Sequence, residues 1–166
     1  MLETEELRIE RMTVDDWQDV RSIYLEGIAT GNATFEQSAP EWETWHAAHL
    51  KECRLVARLH KGLVGWAALT PVSGRCVYAG VAEVSVYVAE RMRGKKIGQR
   101  LLSELVKESE KHGIWTLQAG IFPENIASIE AHKRCGFRVV GTREKLGKIN
   151  GVWRDVILME RRSKAL

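Results

Sequence analysis

Leu7 and Ile9 alternate with Arg8 and Glu10, the period of a half-buried strand, and Thr13, Asp15 and Asp16 then supply helix-start chemistry. From Trp17 the apolar residues Val20, Ile23, Tyr24 and Ile28 recur at helical spacing until Gly31 and Asn32 break the pattern, so Thr30 to Pro40 is expected to be a loop. Pro40 opens a second helical stretch, in which Trp42, Trp45, His46, His49 and Leu50 share one face. Leu55 to Ala57 and Val64 to Leu69 flank the turn His60-Lys61-Gly62 and predict a hairpin.

After the polar loop Thr70 to Gly74, Val81 to Val88 is rich in Val and Tyr and predicts a strand. A basic turn with two glycines follows, and then Ile97, Leu101, Leu102, Leu105 and Val106 form a helical stripe that ends near His112 and Gly113. Leu117 to Phe122 predicts another strand, and Asn125 and Ser128 begin a helix that Gly136 ends. Phe137 to Val140 and Val156 to Met159 are the last expected strands. This order describes a mixed α/β domain with helices covering a central sheet.

Composition narrows the picture. The 166 residues fit one domain, 1–166, with a single core. Apolar residues at 45% and charged residues at 28% argue against disorder and against a coiled-coil rod. A net charge of +3 is far from the dense positive field of a dedicated nucleic-acid binder, so no nucleic-acid partner is expected. Cys53, Cys76 and Cys135 are odd in number and form no CxxC pair, so they outline neither a disulfide framework nor a zinc site, and a reducing cytoplasm is the expected compartment. The amino terminus carries no apolar signal segment, and no run approaches the roughly 18 apolar residues of a membrane span.

The segment most informative about chemistry joins the strand ending at Val88 to the helix beginning near Ile97. A helix amino terminus presents unpaired N–H groups and a positive dipole end, and Gly94 and Gly98 allow close approach to that backbone. Arg91, Arg93, Lys95, Lys96 and Arg100 add positive charge that suits a diphosphate. A solvated basic turn is the alternative reading. His46-x-x-His49 has the spacing of a metal pair but no HExxH or cysteine partner, so no metal is expected. Trp42, Trp45, Trp66 and Trp115 read most simply as core or interface residues, and Arg161 to Lys164 as a solvated tail.

Two ordered motifs carry a resemblance. Arg93 to Gly98 resembles the phosphate-binding pattern Arg/Gln-x-x-Gly-x-Gly/Ala of the GNAT N-acetyltransferase superfamily, with Arg93, Ile97 and Gly98 in register and Lys96 where the middle glycine usually stands. A lysine at positive φ costs on the order of 1 kcal/mol relative to glycine, and Lys96 is expected to be already helical and free of that cost. Asn125-Ile-Ala-Ser128 through Gly136-Phe137 resembles the superfamily's Asn-x-x-Ser helix ending in Gly-Phe. Thr34-Phe35-Glu36, Arg75 and Tyr78 ahead of Glu83, and Gly151-Val-Trp153-Arg-Asp155-Val156 are similar to the phosphinothricin and methionine sulfoximine or sulfone acetyltransferases of that superfamily.

The resemblance implies the GNAT fold, a mostly antiparallel central sheet flanked by helices, and acetyl transfer from acetyl-CoA to the primary amine of a small amino-acid-like molecule. Attack is direct, in a ternary complex. The strand Val86, Tyr87 and Val88 would receive the thioester and pantetheine, and Arg93, Gly94, Lys95, Lys96, Ile97 and Gly98 the diphosphate, with Asn125, Ser128 and Arg134 in the same site. Glu83 would act as base, or is an ordinary strand-edge carboxylate. His132 would protonate the departing thiolate, or merely orient substrate. Arg75 and Tyr78 would bind the substrate anion, with Phe35 and Glu36 walling the pocket. A homodimer is implied as well. Acetylation of a protein terminus, or non-catalytic CoA or nucleic-acid binding, are the rival functions.

Overall fold

The computed structural model describes residues 6–60 and 62–166. Lys61 of the expected hairpin turn and the first five residues lie outside them. The elements are β1 (Arg8–Arg11), α1 (Trp17–Ala29), α2 (Trp42–Ala48), β2 (Leu55–Leu59), β3 (Gly62–Pro71), β4 (Val81–Val88), α3 (Ile97–Lys111), β5 (Thr116–Ile121), α4 (Ile126–Arg134), β6 (Arg138–Ile149) and β7 (Val152–Arg162). Short 3₁₀ turns occupy Val14–Asp16, Cys76–Tyr78 and Glu90–Met92.

The strands form one seven-stranded sheet in the order β1-β2-β3-β4-β5-β7-β6. Every neighbouring pair is antiparallel except β4 with β5. Helices cover both faces, so β3 is buried continuously from Leu63 to Leu69. Side chains sort by the two-residue period of the pleat. Leu55, Ala57, Ala67 and Leu69 join the core under α3, with Leu101, Leu102 and Leu105. Val56, Trp66 and Ala68 join the second core under α1 and α2, with Trp17, Val20 and Trp45.

Two observations about the sheet matter for the site. First, β4 and β5 pair only over Val81↔Thr116, Ala82↔Leu117 and Glu83↔Gln118, and beyond that point they diverge. The remaining stretch of β4 from Val84 to Val88 is paired to β3 on one edge and presents the other edge to a cleft. Second, β6 and β7 are much longer than the strands expected at Phe137 to Val140 and Val156 to Met159. They continue into a two-residue turn in which Asn150 (φ 50°) and Gly151 (φ 77°) both adopt the left-handed conformation of a type I′ hairpin. β6 is exposed along most of its length, so its sequence lacks the alternation that marks a half-buried strand. Among the described residues no helix is long and apolar enough to cross a membrane.

Candidate active site

The cleft opens where β4 leaves β5, and it has two halves that meet at Ala33, Val86, Tyr87, Asn125, Ser128 and His132. The larger half, about 560 Å³, runs along the free edge of β4 to the start of α3. The smaller, about 350 Å³, lies over the fork and is walled by the α1–α2 loop and the β6–β7 hairpin.

The larger half carries the features of an anion cradle. Gly94 (φ 81°) and Lys96 (φ 62°) both hold left-handed backbone, and the first residues of α3 that follow, Ile97, Gly98 and Gln99, line this half, where a helix start carries unpaired N–H groups. This corrects the expectation for Lys96. The residue precedes α3 as its N-cap, φ is positive, and the conformational cost of a β-carbon there is present. A β-carbon on Gly94 would meet nothing within 4 Å, so Gly94 faces open space, whereas one on Gly98 would rest in ordinary contact with Val88 Cγ2 at 3.4 Å and Val86 Cγ1 at 3.8 Å. Arg93, Lys96, Ile97 and Gly98 line this half, as do Val86, Val88 and Arg134, whereas Lys95 does not. This half thus combines a free strand edge, a helix start and the cations Arg93, Lys96 and Arg134.

Asn125 caps α4, its Oδ1 accepting from Ser128 N at 3.3 Å, while its Nδ2 donates to Asn32 O at 3.3 Å and so ties the α1–α2 loop to the cleft. His132 is buried and T-stacked on Phe137 at 5.0 Å. Its Nδ1 donates to Ser128 O at 2.6 Å. Burial lowers its pKa below the usual value, which favours the neutral ring.

The smaller half holds the acceptor-side candidates. Glu83 is half-buried, and Gln118 Nε2 donates to its Oε1 at 3.2 Å. Phe35 and Glu36 line the same space, together with Ser85, Gln118, Arg143 and Leu146. Phe35 packs edge-on against Phe122 at 4.9 Å and over Gly147, where a β-carbon would stand 2.8 Å from its Cε1. Arg75 and Tyr78 line neither half in this chain. They stand on the exposed 3₁₀ turn ahead of β4, with the Arg75 guanidinium 5.5 Å from the Tyr78 ring.

Gln118 and Arg143 are not singled out by the sequence, and Arg154 only as part of the Gly151 to Val156 segment. For Gln118 a signal existed, a long polar side chain inside the apolar strand Leu117 to Phe122. Arg143 and Arg154 come from the hairpin whose length was not foreseen. Arg154 donates to Gly31 O (2.8 Å) and Asn32 Oδ1 (2.8 Å), pairs with Glu124 (3.2 Å) and lies 4.2 Å over the Phe122 ring. His46 and His49 are engaged away from the cleft: His46 Nδ1 accepts from Arg54 Nη1 at 2.8 Å, and His49 stacks on Trp45 at 4.0 Å.

The family model described as Acetyltransferase (GNAT) family matches residues 13–137. A phosphinothricin N-acetyltransferase of Alcaligenes faecalis is 33% identical over 154 residues, covering 89% of this chain and 78% of that protein. An L-methionine sulfoximine/L-methionine sulfone acetyltransferase of Pseudomonas paraeruginosa is 29% identical, covering 89% of each chain. The crystal structure of a GNAT superfamily phosphinothricin acetyltransferase from Sinorhizobium meliloti, in complex with AcCoA, superposes with a TM-score of 0.83 at 29% identity, covering 96% of this chain and 88% of that one.

Proposed function

The chain belongs to the GNAT acetyltransferase family and is an acetyl-CoA-dependent N-acetyltransferase, and from that premise we propose that its acceptor is the primary amine of a small amino-acid-like molecule of the phosphinothricin, methionine sulfoximine or methionine sulfone type. One observation carries the reading. Glu83 is the last residue of β4 paired to β5, so a carboxylate stands at the fork inside the smaller half, three residues before Val86, where the two halves meet.

In this reading acetyl-CoA is the cosubstrate of the larger half. Its diphosphate meets the N–H groups at the start of α3 with Arg93 and Lys96 beside them, and its pantetheine follows the free edge of β4 from Val88 toward Val86. Backbone N–H groups of that edge stabilise the oxyanion that forms as the thioester carbon becomes tetrahedral. An ammonium has no lone pair, so Glu83 removes a proton, directly or through one water, and the free amine attacks the carbonyl carbon. The C–S bond then breaks, the amide forms, and the thiolate takes its proton from the ammonium centre or from water. His132, neutral and bonded through Nδ1, orients the groups around the scissile bond instead of supplying that proton.

Phe35 and Glu36 form the acceptor wall, and the size of this half, about 350 Å³, supports a small acceptor over a peptide. Exposed apolar side chains at Val139, Val140, Val152 and Trp153 on the outer hairpin support a homodimer. Three free cysteines support a reducing cytoplasm.

The reading is tested with Glu83→Gln. The expected result is a fall in kcat of about 10²-fold with acetyl-CoA affinity nearly intact, measured with an acceptor chosen by screening amino acids, their sulfone and sulfoximine derivatives, polyamines and peptides. Wild-type turnover in that variant removes the base, and turnover confined to peptides removes the acceptor class.

A further inference from the structure

We propose that Gln118 is the positioning residue of Glu83, a clasp across the fork that holds the carboxylate in one orientation; the proposal rests on the reading of Glu83 as the base. β4 and β5 are parallel, and Glu83 and Gln118 are the last matched pair before the strands diverge. Matched residues on adjacent strands project to the same face, and here both side chains enter the acceptor half of the cleft. The amide Nε2 donates to Glu83 Oε1 at 3.2 Å. Among the described residues no donor is bonded to Oε2, so the clasp commits one carboxylate oxygen and leaves the other for a proton from the acceptor.

The space around the pair is kept open by the next position along the cleft. A β-carbon on Gly120 would press on Val156 Cγ1 at 3.2 Å and come into ordinary contact with Glu83 Oε1 at 4.0 Å, so the glycine leaves the space beside the carboxylate free. A hydrogen bond donated to a carboxylate is among the stronger neutral-to-charged contacts, and it fixes the direction in which the free oxygen points. The other titratable and charged groups lining this half are Glu36 from the α1–α2 loop, Tyr87 on β4, His132 on α4 and Arg143 on β6. Gln118 is the group bonded to Glu83 itself.

The test compares the full chain with Gln118→Met, which keeps the length and removes the donor, and Gln118→Glu, which replaces the donor by a second carboxylate. Carboxyl ¹³C NMR at one fixed pH, with the Glu83 resonance identified by its loss in Glu83→Gln, reports the bond at the carboxylate without requiring turnover. The Glu83 resonance is expected to shift in both Gln118→Met and Gln118→Glu, because the bond to Oε1 is lost in each. With L-methionine sulfoximine as acceptor, kcat falls about tenfold in Gln118→Met, the size expected for one bond to a charged group, while KM for acetyl-CoA stays unchanged. An unmoved resonance, or a wild-type kcat in Gln118→Met, overturns the proposal. Failure of the base itself is read separately: Glu83→Gln then turns over normally although the resonance moves in the Gln118 variants, and the clasp loses its part in the reaction.

Discussion

His132 Nδ1 lies 2.6 Å from the carbonyl oxygen of Ser128, one turn earlier on α4. A carbonyl oxygen only accepts, so Nδ1 carries the ring proton and Nε2 is bare while the ring is neutral. Burial favours that neutral ring. ¹⁵N NMR of the histidines is therefore expected to show His132 as the Nδ1–H tautomer at pH 7, with a titration midpoint below the usual histidine value. An Nε2–H tautomer, or a midpoint above the usual value, would restore the case for His132 as the acid that protonates the thiolate.

His49 gives the fold a dependence on acid. Burial lowers its pKa from 6.5 to about 4, and the ring stacks on Trp45 with Nδ1 2.8 Å from Trp45 O. Between those values the unfolded chain binds a proton that the folded chain does not, so the sign is destabilising as pH falls. The contribution of His49 is complete above pH 6.5 and is lost progressively toward about pH 4. Thermal unfolding of His49→Gln should decline less steeply than wild type over that window, and parallel curves would show that the ring titrates as it does in the unfolded chain.

Lys96 holds φ 62° immediately before α3. Glycine adopts that conformation without the steric cost of a β-carbon, so Lys96→Gly is expected to stabilise the fold by about 1 kcal/mol, equivalent to a Tm rise of roughly 2–4 °C in a domain of this size. CoA affinity should fall at the same time, because a cation is removed from the cradle. Calorimetry and CoA titration on one sample separate the two effects.

Arg154 braces the acceptor wall. Its side chain is 15% exposed and joins Gly31, Asn32 and Glu124 while covering the Phe122 ring, on which Phe35 packs. Arg154→Ala should raise KM for the amine about tenfold by releasing the α1–α2 loop. Lysine carries the charge without the planar fork, so Arg154→Lys should not restore it. Wild-type KM in both variants would mean that Phe35 is held by its other contacts.

Gly98→Asp tests the cradle. A side chain at this position projects past Val88 into the larger half, and the added charge opposes a diphosphate. CoA affinity is expected to drop at least tenfold with the far-ultraviolet circular dichroism unchanged. Undiminished binding would place the diphosphate elsewhere on the molecule.

Regular hydrophobic spacing made most of the fold legible in the chain itself. The α3 stripe from Ile97 to Val106, the Val-rich strand before it and the alternation around Leu55 and Trp66 each encode a local period and a buried face, and each forms where the period predicts. The glycine-bearing basic turn ahead of α3 was legible too, because glycines and cations next to a helix start are local chemistry. What the chain could not reveal was which distant residues meet. Glu83 and Gln118 are 35 positions apart and become neighbours only because β5 pairs beside β4 and then diverges. Arg154 reaches Asn32 across 122 positions through an outer hairpin whose exposed, polar strands carry no hydrophobic period. The sign of φ at Lys96 was decided by the turn that joins β4 to α3, since a lysine adopts a left-handed conformation only where surrounding packing enforces it. Local pattern thus determined the elements and the basic turn at the larger half of the cleft, and long-range strand pairing determined the smaller half, because side chains far apart in sequence share a site only after the sheet has assembled.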